Sequence, residues 1–298
     1  MKNLNTYTLL FLMVVLFACK KDKKQEVTNS RKYLVSFGLD GFKQQILGSN
    51  SSRLNTNGVV SDTGSIKAMF DSIGYVVYES GGKLIHSRSF STKTFTNSIT
   101  DSLSSGSYKI AFYAAQAGLI TNLTRGLISY PSNAWKDTYA KTLSITVSNN
   151  NLNQTITLQR ILADVQFDIK DPIPANATRF TLGLYGEWAN YSIFYDAPFE
   201  PASFAPRIIN IPPSAIGQTD FKFDYITLGT NNPASFSLIC YGKGESVLAQ
   251  QYFQKINVQK NQQTILTGSF FGGAANNSGG FQSTVNQVWN PTPTVVTF

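Results

Sequence analysis

The chain has 298 residues, 42% of them hydrophobic and 14% charged, with a formal net charge of +8 and two cysteines. That length exceeds one ordinary domain, and the hydrophobic share is enough for real cores. Part of the positive charge sits in Lys20 to Lys24, and the remaining Lys and Arg are scattered instead of gathered on one segment, which argues against a nucleic-acid partner; low charge with abundant Ser, Thr, Asn, Gln and Gly suits an extracellular all-β protein.

A short positive start, Met1-Lys2-Asn3, precedes an unbroken apolar run from Leu9 to Phe17. A bilayer span takes about 20 apolar residues, so the run is too short to cross and has the proportions of a cleavable signal. It ends in Leu16-Phe17-Ala18-Cys19, which resembles the lipobox of bacterial lipoproteins. The resemblance implies that residues 1–18 are removed and that Cys19 is lipidated. Each buried acyl methylene contributes about 0.8 kcal/mol, so several chains make a lasting anchor. Residues 19–31, opening with Lys20-Lys21-Asp22-Lys23-Lys24, are polar and read as a tether. Its lysines either touch anionic headgroups, at about 1 kcal/mol each, or stay solvated. Which membrane face the anchor occupies is left open by the sequence.

Period-two alternation then dominates. Tyr33 to Leu39 places Tyr33, Val35, Phe37 and Leu39 on one face. A Ser/Asn/Gly-rich stretch leads to a strand over Ile73 to Tyr78, a turn with Gly81-Gly82, and a return strand over Lys83 to Phe90. Strands are predicted over Phe95 to Leu103, Tyr108 to Ala115 and Leu143 to Val147, with a looser region and a short helix around Trp135. The turn-rich Ser148 to Asn153 separates these from a second series that begins with Thr155 to Ile169 and ends at Asp171-Pro172-Ile173-Pro174. Further strands are predicted over Arg179 to Tyr185, Tyr191 to Tyr195, Asp220 to Leu228, Ser235 to Tyr241, Val247 to Val258, Gln263 to Phe271 and Phe281 to Trp289. Many short strands at short spacing read as two stacked β-sandwich domains, residues 32–157 and 158–298.

Three stretches in order resemble the fimbrillin-like family, the subunits and accessory proteins of type V pili. They are Ile73-Gly74-Tyr75-Val76-Val77-Tyr78 running through Gly81-Gly82-Lys83-Leu84; Leu103-Ser104-Ser105-Gly106-Ser107-Tyr108-Lys109-Ile110 followed by Ala114-Ala115-Gln116; and Leu158-Gln159-Arg160-Ile161-Leu162-Ala163-Asp164-Val165. Gln116 stands where the family pattern has Asn. Asn261 to Gly268 is similar as well. The resemblance implies two tandem transthyretin-like (Ig-like) β-sandwich domains, export as a lipoprotein, and assembly by donor-strand exchange. In such relatives a trypsin-like protease removes an N-terminal strand, and a neighbouring subunit fills the vacated groove. Arg31 and Arg53 are the two candidate processing sites here, and a surface arginine is the plainer reading of each. The C-terminal Val288 to Phe298, with prolines at 291 and 293, reads either as a donor strand or as an edge strand or tail. The expected partners are a membrane through the lipid, other pilus subunits through strand exchange, and glycans; the expected place is the outer-membrane surface or the pilus.

The sequence offers little to catalysis. His86 is the one histidine and is expected at an exposed strand position. No His/Cys cluster has zinc spacing, and neither a Gly-rich phosphate loop nor a Gly-x-Ser-x-Gly elbow occurs. No cofactor is implied, and no enzymatic activity is expected. Cys240, within Ser237 to Tyr241, is expected to be a small buried hydrophobe. The aromatic cluster Gly186-Glu187-Trp188-Ala189-Asn190-Tyr191 is the best candidate for stacking on sugars, through Trp188 and Tyr191, in what reads as a strand-to-strand loop. It carries the alternative function, a surface lipoprotein that binds glycans without polymerising. For the anchor, Cys19→Ser is expected to leave the protein unacylated and released from membranes; fractionation that finds the variant still membrane-bound contradicts the lipoprotein reading.

Overall fold

The computed structural model describes residues 31–42, 69–230, 232–272 and 281–286, of which 40–42 and 281–286 are described as backbone. Regular structure among them is β-strand, with three single turns of 3-10 helix. The first strands are β1 (Lys32–Phe42), β2 (Ser72–Glu79), β3 (Leu84–Ser91), β4 (Ser98–Ser104), β5 (Gly106–Ala115), β6 (Ile120–Asn122), β7 (Leu127–Ser129), β8 (Thr138–Val147) and β9 (Leu152–Arg160). They are followed by β10 (Leu162–Ile169), β11 (Ala177–Tyr185), β12 (Glu187–Ser192), β13 (Ala197–Ala202), β14 (Arg207–Asn210), β15 (Phe221–Leu228), β16 (Ala234–Gly242), β17 (Val247–Ile256), β18 (Gln263–Gly268) and β19 (Phe281–Asn286).

One seven-stranded sheet runs β3-β2-β5-β8-β9-β1-β4. Its inner face holds a core of Val35, Phe37, Leu39, Ile73, Tyr75, Val77, Ile99, Ile110, Phe112, Ile145, Ile156 and Leu158. Because Val35, Phe37 and Leu39 alternate with half-exposed neighbours, β1 has one dry face, as its sequence predicts. β2 and β5 differ: almost every residue in them is buried. Ile73, Tyr75 and Val77 face the first core, while Val76, Tyr78, Ala111, Tyr113 and Ala115 face a second apolar layer. A strand covered on both faces reads as a continuous apolar run, which explains Ile73-Gly74-Tyr75-Val76-Val77-Tyr78. Gly74 has a packing reason, since a Cβ there would lie 2.0 Å from a ring carbon of Tyr113, its cross-strand partner.

The second series forms two four-stranded sheets, β15-β10-β18-β19 and β14-β11-β16-β17. Their inner faces meet through phenylalanines: Phe167 lies 5.8 Å from Phe236 and 5.5 Å from Phe253, and Phe180 lies 5.4 Å from Phe223. Cys240 sits in this core, with no exposed surface, and burial pushes its thiol up to about 11, in keeping with a small hydrophobe. A fourth sheet, β13-β12-β7-β6, covers the outer face of β2 and β5.

The chain passes from the first sheet to the second within Arg160-Ile161-Leu162, with no linker. Arg160 is 5% exposed; its guanidinium donates to both carboxylate oxygens of Asp137, at 2.6 and 2.8 Å, and lies 5.1 Å from the Tyr139 ring. Ile161, Leu162 and Leu228 belong to the same apolar layer as Tyr78, Ile128, Trp135 and Tyr191. Buried Glu187 accepts hydrogen bonds from Asn133 and from Tyr225 at 2.8 Å, so it ties β12 to the 3-10 turn Pro131–Asn133 and to β15. Burial raises the Glu187 carboxyl above its ordinary value, against those hydrogen bonds and the Arg207 charge.

Several expectations need correction. β9 closes the first sheet, pairing with β8 and β1, instead of opening the second series. Alternation reports which residues share a face but not which strand lies alongside. Ile193 to Asp196 is a turn, while Trp188 and Tyr191 lie within β12 and not in a loop. β6, β7, β13 and β14 have no counterpart in the predicted elements. The short helix near Trp135 is the 3-10 turn.

Candidate strand-exchange groove

β1 lies inside its sheet, not at an edge. It pairs antiparallel with β4, Lys32 opposite Ser104 through Gly38 opposite Ser98, and parallel with β9, Val35 beside Leu152 through Leu39 beside Ile156. Leu34 N–H donates to Asn151 Oδ1 at 3.0 Å, and Leu39 N–H donates to the Asn97 carbonyl at 2.8 Å. Tyr33, Val35, Phe37 and Leu39 are at most 9% exposed. Phe37 packs edge-on to Phe112 at 5.2 Å and tilted against Tyr75 at 5.9 Å. Burying four such side chains is worth about 1.5–3 kcal/mol each. Removing β1 would therefore open an apolar trough with unpaired backbone on both walls.

The groove's outer wall, β4, is held on its far side by a different chemistry. β3 and β4 are the two edges of the seven-stranded sheet, yet their side chains meet, so the sheet curls on itself. Arg88 donates to the Thr100 carbonyl at 2.8 Å, and His86 Nε2 lies 2.7 Å from Asp101 Oδ2. Tyr75 O–H, from inside the core, donates to the same Asp101 oxygen at 2.8 Å. The Arg88 guanidinium lies 4.9 Å from the Tyr75 ring. Between these edges runs a cleft of about 600 Å³ whose lining includes Lys32, Ile85, His86, Arg88, Ser104 and Tyr108. His86 is thus half-buried and engaged, where an exposed position was expected; its partner Asp101 belongs to the opposite edge strand.

Burial works to raise the Asp101 carboxyl, but hydrogen bonds from Tyr75 and the Ser102 amide, with the His86 ring, hold it below its ordinary value.

The other residues singled out from sequence fall as follows. Arg31 is exposed at the head of β1, with its guanidinium 5.7 Å from the Tyr33 ring. Cys19, Arg53 and residues 288–298 lie outside the described residues. β19 pairs antiparallel with β18 at the edge of its sheet. Trp188 is half-buried on β12. Tyr191 has no exposed surface, and its hydroxyl is taken by Asp196 and by the Lys260 ammonium, so burial removes it from sugar contact. Among the described residues no group of three or more His, Cys, Asp or Glu could hold a metal ion, and no helix is long and apolar enough to cross a membrane.

A family profile matches residues 102–289. The chain belongs to DUF6562, a family of unknown function. No curated protein sequence matches it. Solved structures do. A candidate adhesin from Bacteroides ovatus is 13% identical with a TM-score of 0.51, covering 86% of this chain and 92% of its own. A candidate polysaccharide-binding protein from Bacteroides thetaiotaomicron is 12% identical at TM-score 0.51, covering 87% and 96%. The fimbrial anchor protein Mfa2 from Porphyromonas gingivalis is 12% identical at TM-score 0.50, covering 87% and 98%. At such identities the likeness shows the fold alone: this DUF6562 chain is similar in its strand-rich architecture to these structures.

Asp101→Ala leaves the Tyr75 hydroxyl without its acceptor, and the expected loss of stability near pH 7 is about 1–3 kcal/mol. A carboxyl lowered in the folded state stabilises above its unfolded value of about 4 and loses that contribution as pH falls through the folded value. Urea unfolding at a series of pH values is therefore expected to show the gap between variant and wild type narrowing below about pH 4; a gap that stays constant contradicts the assignment.

Proposed function

We propose that this protein is a surface lipoprotein of the fimbrillin type, anchored through acylated Cys19, that serves as a structural or accessory subunit of a pilus and supports cell adhesion. In this reading the chain forms two transthyretin-like sandwich domains that meet at Arg160-Ile161-Leu162, and assembly proceeds by exchange of β1 for a strand of a neighbouring subunit. The observation that carries it is the placement of β1: an N-terminal strand with four buried side chains and both edges paired, joined to the following strands through residues 43–68. Arg53 lies in that connection, so cleavage after it would leave β1 held by non-covalent contacts alone. Cleavage after Arg31 would cut the tether and leave β1 attached. The two sites thus have different consequences, release from the membrane and opening of the groove.

The fold shared with a fimbrial anchor protein supports the reading. So does edge pairing as a mode of assembly, because an extended segment satisfies both the free backbone and the apolar pockets of such a groove. The C-terminal residues 288–298, which end in Thr294-Val295-Val296-Thr297-Phe298 after two prolines, are the proposed donor.

Soluble protein lacking residues 1–18, treated with trypsin, is expected to form polymers detectable by light scattering once the chain is cut after Arg53, and to form none when Pro293 to Phe298 are deleted. A cut chain that loses β1 yet stays monomeric contradicts strand exchange.

A further inference from the structure

The β12–β13 hairpin inverts the usual arrangement of a surface strand pair. Its inward face carries Glu187 and Tyr191, both buried. Its other face carries aromatic rings: Trp188 pairs across with Pro201, and Asn190 with Phe199, so these four side chains share one side, with Trp188 half-buried against the apolar layer. The connecting turn adds Tyr195, which is 63% exposed, with its ring 6.3 Å from Phe199 and inclined to it by only 17°. Phe194 fixes the turn from below, packing edge-on to Tyr78 at 5.3 Å and to Tyr195 at 4.9 Å. The Lys109 ammonium lies 4.1 Å from the Phe194 ring centroid and donates to the Phe194 carbonyl at 3.3 Å.

Planar polar groups accompany these rings. Asn190 Nδ2 and Arg125 both donate to the Glu200 carboxylate. The charged groups around the turn are all engaged: Arg125 with Glu200, Lys260 with Asp196, and Lys109 with the ring and carbonyl of Phe194. An exposed tyrosine and a half-buried phenylalanine held nearly parallel, with an amide, a carboxylate and a guanidinium beside them, match a ligand that has an apolar C–H face and a hydroxyl-bearing edge. The electron-rich ring faces take the polarised C–H groups, and the polar groups take the hydroxyls. A pyranose ring has that shape, and because Arg125 is paired with Glu200 and Lys260 with Asp196, the ligand inferred is a neutral sugar.

We propose that the outer face of the β12–β13 hairpin is a binding site for a neutral oligosaccharide, with Tyr195 and Phe199 as the stacking residues, Trp188 flanking them, and Asn190, Glu200 and Arg125 as the hydroxyl partners. The site deepens the adhesive part of the proposed function by naming what is gripped. It does not depend on strand exchange, because β1 lies in another sheet.

The test is an array of neutral hexose and N-acetylhexosamine oligosaccharides probed with the soluble full-length mature chain, followed by affinity gel electrophoresis in a polysaccharide of the sugar retained. Binding is expected, weakened about tenfold or more by Tyr195→Ala and by Phe199→Ala, and kept by Tyr195→Phe. Tyr252→Ala, at an exposed tyrosine of β17, is the control expected to bind as wild type. Thermal melting checks that each variant is folded. Retention of no neutral glycan, retention of sulfated or uronic sugars alone, or equal binding by wild type, Tyr195→Ala and Phe199→Ala overturns the proposal. Trypsin-triggered assembly of Tyr195→Ala is read separately, so loss of glycan binding and loss of strand exchange are distinguishable.

Discussion

A strand in the middle of a sheet must have both of its edges paired and its inner face covered, and in this fold that place belongs to β1. Its partners, β4 and β9, come from distant parts of the chain, and nothing else separates them. The first core is built around the same strand: Val35 and Phe37 are fully buried, and Phe37 meets Tyr75 and Phe112 at the centre. Withdrawing β1 therefore unpairs two strands and opens the core at once. The chain can tolerate this only if the walls stay in place without it. β4 is fastened on its far side by Asp101, which His86 and Tyr75 hold, and by the hydrogen bond from Arg88 to the Thr100 carbonyl. β9 is fastened to β8 beside the Arg160–Asp137 pair. Side-chain chemistry at the seam and an ion pair at the crossing thus frame a site that backbone pairing fills.

The second constraint is the joint. A passage of three residues between two sheets leaves no slack, and an apolar layer with buried polar anchors closes around it. Glu187 and the Tyr191–Asp196–Lys260 contacts sit in that layer and link the small sheet to β15 and to the loop before β18. Breaking a buried, hydrogen-bonded charge is costly, so these anchors oppose bending at the joint.

Much of this was legible in the sequence and some was not, for identifiable reasons. Tyr33, Val35, Phe37 and Leu39 announce β1 by alternation, and the continuous apolar run of β2 announces a strand covered on both faces. Partners are a different matter. The sequence pattern assigns β9 its inward residues, Ile156 and Leu158, but cannot say that they join the first core. His86 looks like a spectator until topology brings Asp101 from the opposite edge. The β12–β13 hairpin defeats pattern reading, because a glutamate is buried beside Tyr191 on one face while the other face is only half covered. Trp188 stands out in the sequence by its cluster, Tyr191 proves to be its buried neighbour, and the Tyr195–Phe199 pair gives no sequence signal because it sits at and beyond a turn with no regular period. β6, β7 and β14 are too short to show a period at all.

The most direct test of the central claim is strand replacement itself. Mature protein, cut after Arg53 and uncut, is incubated with an excess of isotope-labelled peptide spanning Lys32 to Phe42 and weighed by native mass spectrometry. The cut protein is predicted to lose its own β1 and take up one labelled peptide, while the uncut protein takes up none. Cut protein that keeps its original strand, or loses it and binds no peptide, contradicts a replaceable strand.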